Sequence, residues 1–322
     1  MKKGISLLLA VTLVLGLAFL PERALAEDGE AKLRIVTTIF PEYDWVMNLL
    51  GEQASGAEVT MLLDTGVDLH SYQPTVEDMI KISVCDLFIY VGGESDGWVD
   101  DALAEAVNRN MIVIDLLEVL GDLAKEEELV EGMEEEPSED GEEAELDEHV
   151  WLSLRNASVL CGAIAQALGQ LDLANAGIYR DNAAAYAEKL SALDADYQAA
   201  VEAAPRRTLL FGDRFPFRYL ADDYGLGYYA AFAGCSAETE ASFETIVFLA
   251  GKVDELGLGA ICQIEGADGA IARTIRDNTR SGDQEILTLN SMQATTAKDV
   301  AAGASYLAIM EQNLAVLAAA LN

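Results

Sequence analysis

Histidine is almost missing from this chain: two residues in 322, His70 and His149. Standing 79 positions apart, they cannot form the HExxH helix of a zinc protease. Basic residues are scarce as well, 20 Lys and Arg against 56 Asp and Glu, for a formal net charge of −36. Such a field repels nucleic acid and anionic lipid and draws cations, so nucleic acid is not expected as a partner. Four cysteines occur, none before Cys85 and none in a CxxC pair, which excludes the common structural zinc patterns. No P-loop and no GxSxG elbow is present. "GLGYYA" (225–230) imitates a dinucleotide fingerprint, but it leads into a strand instead of opening a helix after one, and it is set aside.

What is present begins with an export signal. Lys2 and Lys3 precede the apolar run 5–20, and "ALA" (24–26) follows. This is the pattern of a signal peptide over 1–26, and its apolar run of 16 residues falls short of the about 20 needed for a bilayer span. With no cysteine at the cut, no lipobox is expected, and the product reads as soluble and exported, periplasmic or otherwise extracytoplasmic. Among the cysteines, Cys85 and Cys161 sit in apolar stretches and read as buried, while Cys235 and Cys262 could pair in an oxidising compartment.

The order of elements implies an α/β protein. Short β-branched runs at 33–39, 58–63, 85–92 and 111–116 alternate with helical or turn segments. In "PTVEDMIKIS" Thr75 reads as an N-cap, with Asp78 three positions on and Val76, Met79 and Ile80 on one face. The segment 122–148 carries fifteen acidic residues against Lys125 alone; it is too poor in apolar side chains to fold and reads as a disordered loop. Residues 155–204 read as helix. Strands at 208–213, 228–232, 260–266 and 285–290 then alternate with helices at 242–256, 267–279 and 297–321. The expectation is two small parallel-sheet lobes, 32–154 and 205–322, bridged by a long rigid helix over 155–204. No internal repeat is visible in the sequence.

Ligands of open α/β sheets gather beyond the carboxyl ends of the strands. The polar residues there are Asp213, Glu265 and Asn290 in the second half, and His70 in the first. His149 closes the acidic run. Two imidazoles with one or more oxygens from the other lobe would hold a divalent cation. Each feature alone has a plainer explanation: a surface histidine, a helix cap, a solvated acidic stretch. A catalytic zinc hydrolase, with an acid/base such as Glu265, also remains open.

Five blocks of sequence narrow this. "GVDLHSYQPTVEDMIKISVCDLFIYVGG" (66–93) and "DEHVWLSLRNA" (147–157) resemble the two histidine motifs of substrate-binding proteins from zinc/manganese ABC importers. "FRYLADDYGL", "GCSAETEASFETI" and "ICQIEGADGAIARTIRDNT" are similar to blocks of that family's second lobe, and the likeness runs over 33–296. The resemblance implies two lobes joined by a rigid helix, with the metal between them. It implies His70 and His149 as ligands. The position of the family's third ligand holds Arg214, leaving Asp213 beside it as substitute. The fourth falls on Asn290, with Glu265 or Glu240 as compensating carboxylates. The function implied is a non-enzymatic monomeric carrier that takes up Zn²⁺ ahead of Mn²⁺ as transported ligand, without an organic cofactor, and delivers it to a cognate ABC permease in the cytoplasmic membrane. A surface adhesin is the alternative from another class. The acidic loop would either gather cations for His149 or serve only solubility.

Overall fold

The computed structural model describes residues 32–133, 145–236 and 240–322; the signal peptide expected over 1–26 lies outside them. Strands β1 (Leu33–Thr37), β2 (Ala57–Met61), β3 (Leu87–Tyr90) and β4 (Ile112–Asp115) form one parallel sheet in the order β2-β1-β3-β4. Strands β5 (Thr208–Arg214), β6 (Gly227–Phe232), β7 (Ala260–Ile264) and β8 (Glu285–Leu289) form a second in the order β6-β5-β7-β8. The two lobes therefore share one topology, although no repeat is visible in the sequence. In each sheet the order reverses between the first and third strands, which opens a crevice at their carboxyl ends.

Helices α1 (Phe40–Leu50), α2 (Val76–Val84), α3 (Val99–Ala104) and α4 (Leu116–Leu120) accompany the first sheet. Thr75 caps α2, its hydroxyl accepting from the Asp78 N–H while the Asp78 carboxylate accepts from the Thr75 N–H and hydroxyl. The expected apolar face of α2 is only partly used. Ile82 is buried, but Val76 and Ile80 are exposed, because the helix lies across the lobe surface and packs through its C-terminal half.

The stretch 155–204 is two helices rather than one. Helix α5 (Leu154–Leu171) ends at Asp172, whose carboxylate accepts from the Asn175 side chain and the Tyr179 hydroxyl. That local bonding breaks the helix, and α6 (Ala176–Ala203) restarts and runs for 28 residues. α6 is the long bridge. It buries Tyr179, Tyr186, Leu190, Leu193, Tyr197 and Val201 in a core shared with both sheets. The remaining helices are α7 (Arg218–Tyr224), α8 (Phe243–Leu256), α9 (Ala270–Asp277), α10 (Ala297–Ala301) and α11 (Tyr306–Ala320). The helix expected over 297–321 is interrupted at Gly303, whose φ of 98° is a left-handed backbone that glycine takes without a Cβ clash.

The C-terminal helix ties the lobes together. The Tyr306 hydroxyl donates to the Trp151 carbonyl at 2.6 Å, and its N–H donates to Asp44 Oδ2 at 3.2 Å. Trp45 meets the Tyr306 ring edge-on at 5.3 Å, a geometry worth about 0.5–1.5 kcal/mol beyond area burial.

The described flanks of the acidic segment are ordered, contrary to expectation. Glu126 bridges Leu146, the Asp147 N–H donates to the Lys125 carbonyl, and the Lys125 N–H donates to the Tyr219 hydroxyl. Met133 is buried. Glu128 pairs with Arg218, and Glu131 with Lys252. A composition count misses this, because these carboxylates meet basic side chains and backbone donors of the second lobe. Residues 134–144 lie outside the described structure.

Candidate metal centre

His70 follows β2 on a short turn whose entry is set by Asp68, Oδ1 accepting from the His70 N–H at 3.0 Å. His149 ends the acidic segment, and its N–H donates to Asp147 Oδ1 at 2.9 Å. The chain distance between them disappears in the fold: the two Nε2 atoms face each other at 3.2 Å.

The far nitrogens decide what that face can do. His149 Nδ1 lies 2.9 Å from Asp147 Oδ1, so the carboxylate holds the proton on Nδ1. His70 Nδ1 lies 2.8 Å from Ser95 Oγ and 3.4 Å from Glu148 Oε2. Each ring thus has an oxygen beside its Nδ1, and the tautomer with the proton on that nitrogen turns an Nε2 lone pair toward the other ring. Burial, the His149 ring and the Arg214 guanidinium push the His70 pKa down to about 3, outweighing the opposing Asp68 carboxylate. His70 is therefore neutral and free to donate its lone pair at ordinary pH. Two imidazole nitrogens bound to one tetrahedral Zn²⁺ stand about 3.3 Å apart, close to the 3.2 Å found.

Cys235, on the loop after β6, completes a group of three. Its Sγ and one ring nitrogen of each histidine all lie within 4.8 Å of one another. No carboxylate joins the group among the described residues. Burial, with the charges of Glu127, Asp147 and Glu148, pushes the Cys235 thiol pKa up. All four cysteines are free, so Cys235 and Cys262 do not form the disulfide considered from their compartment: β7 buries Cys262 while Cys235 turns toward the histidines.

The oxygen candidates lie elsewhere. Asp213 accepts from the Arg214 N–H at 2.9 Å and from the Ile264 N–H at 3.2 Å, which joins the end of β5 to β7. Asn290 Oδ1 accepts from the Met292 N–H, and Glu265 accepts from the Ser291 N–H and hydroxyl and from the Gln293 N–H. Together they hold a loop in which Met292 takes a φ of 65°, uncommon for a side chain of its size. The loop delivers Gln293, whose Nε2 stands 3.5 Å from His70 Nε2. Glu240 is exposed. Arg214 donates to Asp68 Oδ2 at 2.6 Å and to the Ser236 carbonyl at 3.3 Å, linking the lobes across the cleft. Sequence reasoning missed Cys235, Gln293, Asp147, Glu148 and Ser95. Only Asp147 and Glu148, next to His149, carried a signal, and it was hidden in the acidic run.

Gly234 packs flat against His149. A Cβ there would stand 2.9 Å from the Phe215 carbonyl oxygen and 3.1 Å from His149 Cε1. Gly234→Ala is expected to tilt the ring and weaken metal binding about ten- to a hundred-fold, as losing an orienting group does. A zinc titration beside a thermal melt checks this, and unchanged affinity would show that the ring has room.

Two four-stranded parallel lobes on a helical bridge, with facing imidazoles in the cleft, define a two-lobed α/β binding protein. The chain belongs to the family described as "ZnuA: Zinc-uptake complex component A periplasmic", whose model matches residues 35–320. It is 32% identical over 320 residues to the zinc-binding lipoprotein AdcA of Streptococcus pneumoniae serotype 4, covering 98% of this chain and 60% of that protein. It is 28% identical over 297 residues to the high-affinity zinc uptake system protein ZnuA of Bacillus subtilis, covering 91% and 88%. The chain thus spans about three-fifths of the length of the AdcA relatives it matches. The crystal structure of the Zn(II)-bound ZnuA-like domain of Streptococcus pneumoniae AdcA superposes with a TM-score of 0.70 at 29% identity, covering 90% of this chain and 99% of that one. The laminin-binding adhesin Lmb of Streptococcus agalactiae shares the fold, with a TM-score of 0.72 at 24% identity.

Proposed function

We propose that this protein captures a divalent transition metal, zinc ahead of manganese, outside the cytoplasm and hands it to an ABC importer. The observation that carries the reading is the approach of the two Nε2 atoms to 3.2 Å, with an oxygen partner beside the Nδ1 of each ring. Two imidazole nitrogens at that distance can bind one cation between them. His70 and His149 are the ligands we propose from the first lobe. Asp213 and Asn290 shape the second-lobe loops in this reading: their oxygens accept backbone N–H groups, and Cys235 rather than Asp213 gathers with the two histidines. The names of AdcA and ZnuA support zinc as cargo and a carrier rather than a catalyst, and the family description supports an extracytoplasmic location. The Asp68–Arg214 pair and the Tyr219–Asp147 bond link the lobes directly, and with the α6 bridge they favour small adjustments over a wide hinge.

Calorimetric titration of metal-stripped protein with Zn²⁺ and with Mn²⁺ tests the reading. One tight zinc site, retained within a few-fold in Asp213→Ala, is expected. Absence of any tight site would overturn the proposal, and preferential Mn²⁺ binding would replace zinc as cargo.

A further inference from the structure

We propose that Cys235 is itself a ligand, so that the cargo is held by two imidazoles and one thiolate, a donor set that selects zinc over manganese. This rests on the carrier reading above and deepens it. Sγ lies within 4.8 Å of one ring nitrogen of each histidine. In a tetrahedral zinc complex sulfur and nitrogen ligands stand about 3.6 Å apart, so a small shift of the side chain completes the contact.

The Cys235 loop is held from three sides. The Cys235 N–H donates to Glu127 Oε1 at 2.9 Å, Arg214 donates to the Ser236 carbonyl, and Gly234 rests against the His149 ring. Glu127 belongs to the ordered flank of the acidic segment, so that flank braces the same site. Arg214 is the polar side chain that β5 aims toward the cleft, and both its terminal nitrogens are occupied by Asp68 and Ser236. The second lobe must therefore supply its donors from other loops.

Gln293 gives an independent indication. It is 3% exposed, its Oε1 is buried without a hydrogen-bond donor, and its amide points at His70 Nε2. Turning that amide over brings the orphaned oxygen to the side of the imidazoles, where a cation would satisfy it as fourth donor. Coordination of Cys235 breaks the S–H bond: the sulfur electron pair goes to the ion and the proton to solvent. Thiolate and imidazole suit zinc, whereas manganese prefers oxygen donors.

Cys235 is half-buried and the other three cysteines are buried, so thiol alkylation of the folded wild-type protein reads this one residue. Saturating Zn²⁺ is expected to slow iodoacetamide labelling of Cys235, located by peptide mass spectrometry, by about tenfold or more. Co²⁺-substituted protein should show a near-ultraviolet sulfur-to-cobalt charge-transfer band that Cys235→Ser lacks. Cys235→Ser should also lower zinc affinity by at least about a hundred-fold and manganese affinity much less. Tight zinc binding that depends on His70, with neither the band nor protection from labelling, overturns the thiolate and leaves the carrier reading standing. No tight binding of zinc or cobalt in the wild type overturns both.

Discussion

His149→Ala is expected to remove tight zinc binding and, with it, the zinc-dependent rise in unfolding temperature. The ring is fully buried and flanked by Asp147, Gly234 and Trp151, so its position in the site is fixed by its surroundings. Losing a group that merely orients a ligand costs about ten- to a hundred-fold in metal affinity, and losing the ligand itself should cost more. A cation at about a thousand times its dissociation constant stabilises the folded state by about 4 kcal/mol. Most of that increment should vanish in the variant. The metal-free protein should still fold, since Asp147 retains the backbone N–H of residue 149 as a donor. Melting curves with and without zinc, wild type against variant, separate the two effects. An unchanged zinc increment in His149→Ala would place the metal somewhere else.

Asp44→Asn is expected to make the protein more stable near neutral pH and no more stable in acid. Asp44 lies buried on α1, between α6 and the start of α11. Its Oδ2 accepts from the Asn48 side chain, the Tyr186 hydroxyl and the Tyr306 N–H. Burial outweighs those bonds and raises its pKa to about 6 from 3.8. Because the folded state holds the proton more tightly than the unfolded chain, the associated stability is complete below the unfolded value. It is lost as pH rises through about 6. The loss amounts to on the order of 3 kcal/mol. An asparagine oxygen in place of Oδ2 keeps the three donors satisfied and removes the charge. Denaturant unfolding at pH 4 and pH 7.5 should show the gap between variant and wild type widening with pH. A gap that stays constant would mean that Asp44 is ionised at little cost in the fold.

The histidine motifs illustrate how much of the centre was legible. A chain with two imidazoles leaves few choices for a nitrogen-rich metal site, and each stands in a local pattern, loop after strand and acidic run before helix. The oxygen candidates were placed by a rule about strand ends. That rule points to the carboxyl ends of the strands without distinguishing a side chain that faces the crevice from one bonded to the neighbouring backbone. The side-chain oxygens of Asp213 and Asn290 accept backbone N–H groups. Cys235 and Gln293 gave no local signal at all, because a thiol in "AGCSA" and an amide in "SMQAT" look like ordinary loop residues. The acidic segment misled in the other direction. Composition implied a loop without structure, whereas Glu127 and Glu128 find their donors on the far lobe, up to about a hundred positions away.

The sequence by itself determined the alternation of strands and helices, the cap of α2 and the two histidines, since periodicity, capping and residue scarcity are local properties. Tertiary structure decided which side chains meet. The 3.2 Å approach of the imidazoles, the bracing of the cysteine loop and the charge-linked state of Asp44 all depend on groups that the chain order separates by tens to hundreds of positions. Only packing two sheets of like topology around one bridge brings those groups within hydrogen-bonding reach, and at that range burial and Coulomb forces choose their chemistry.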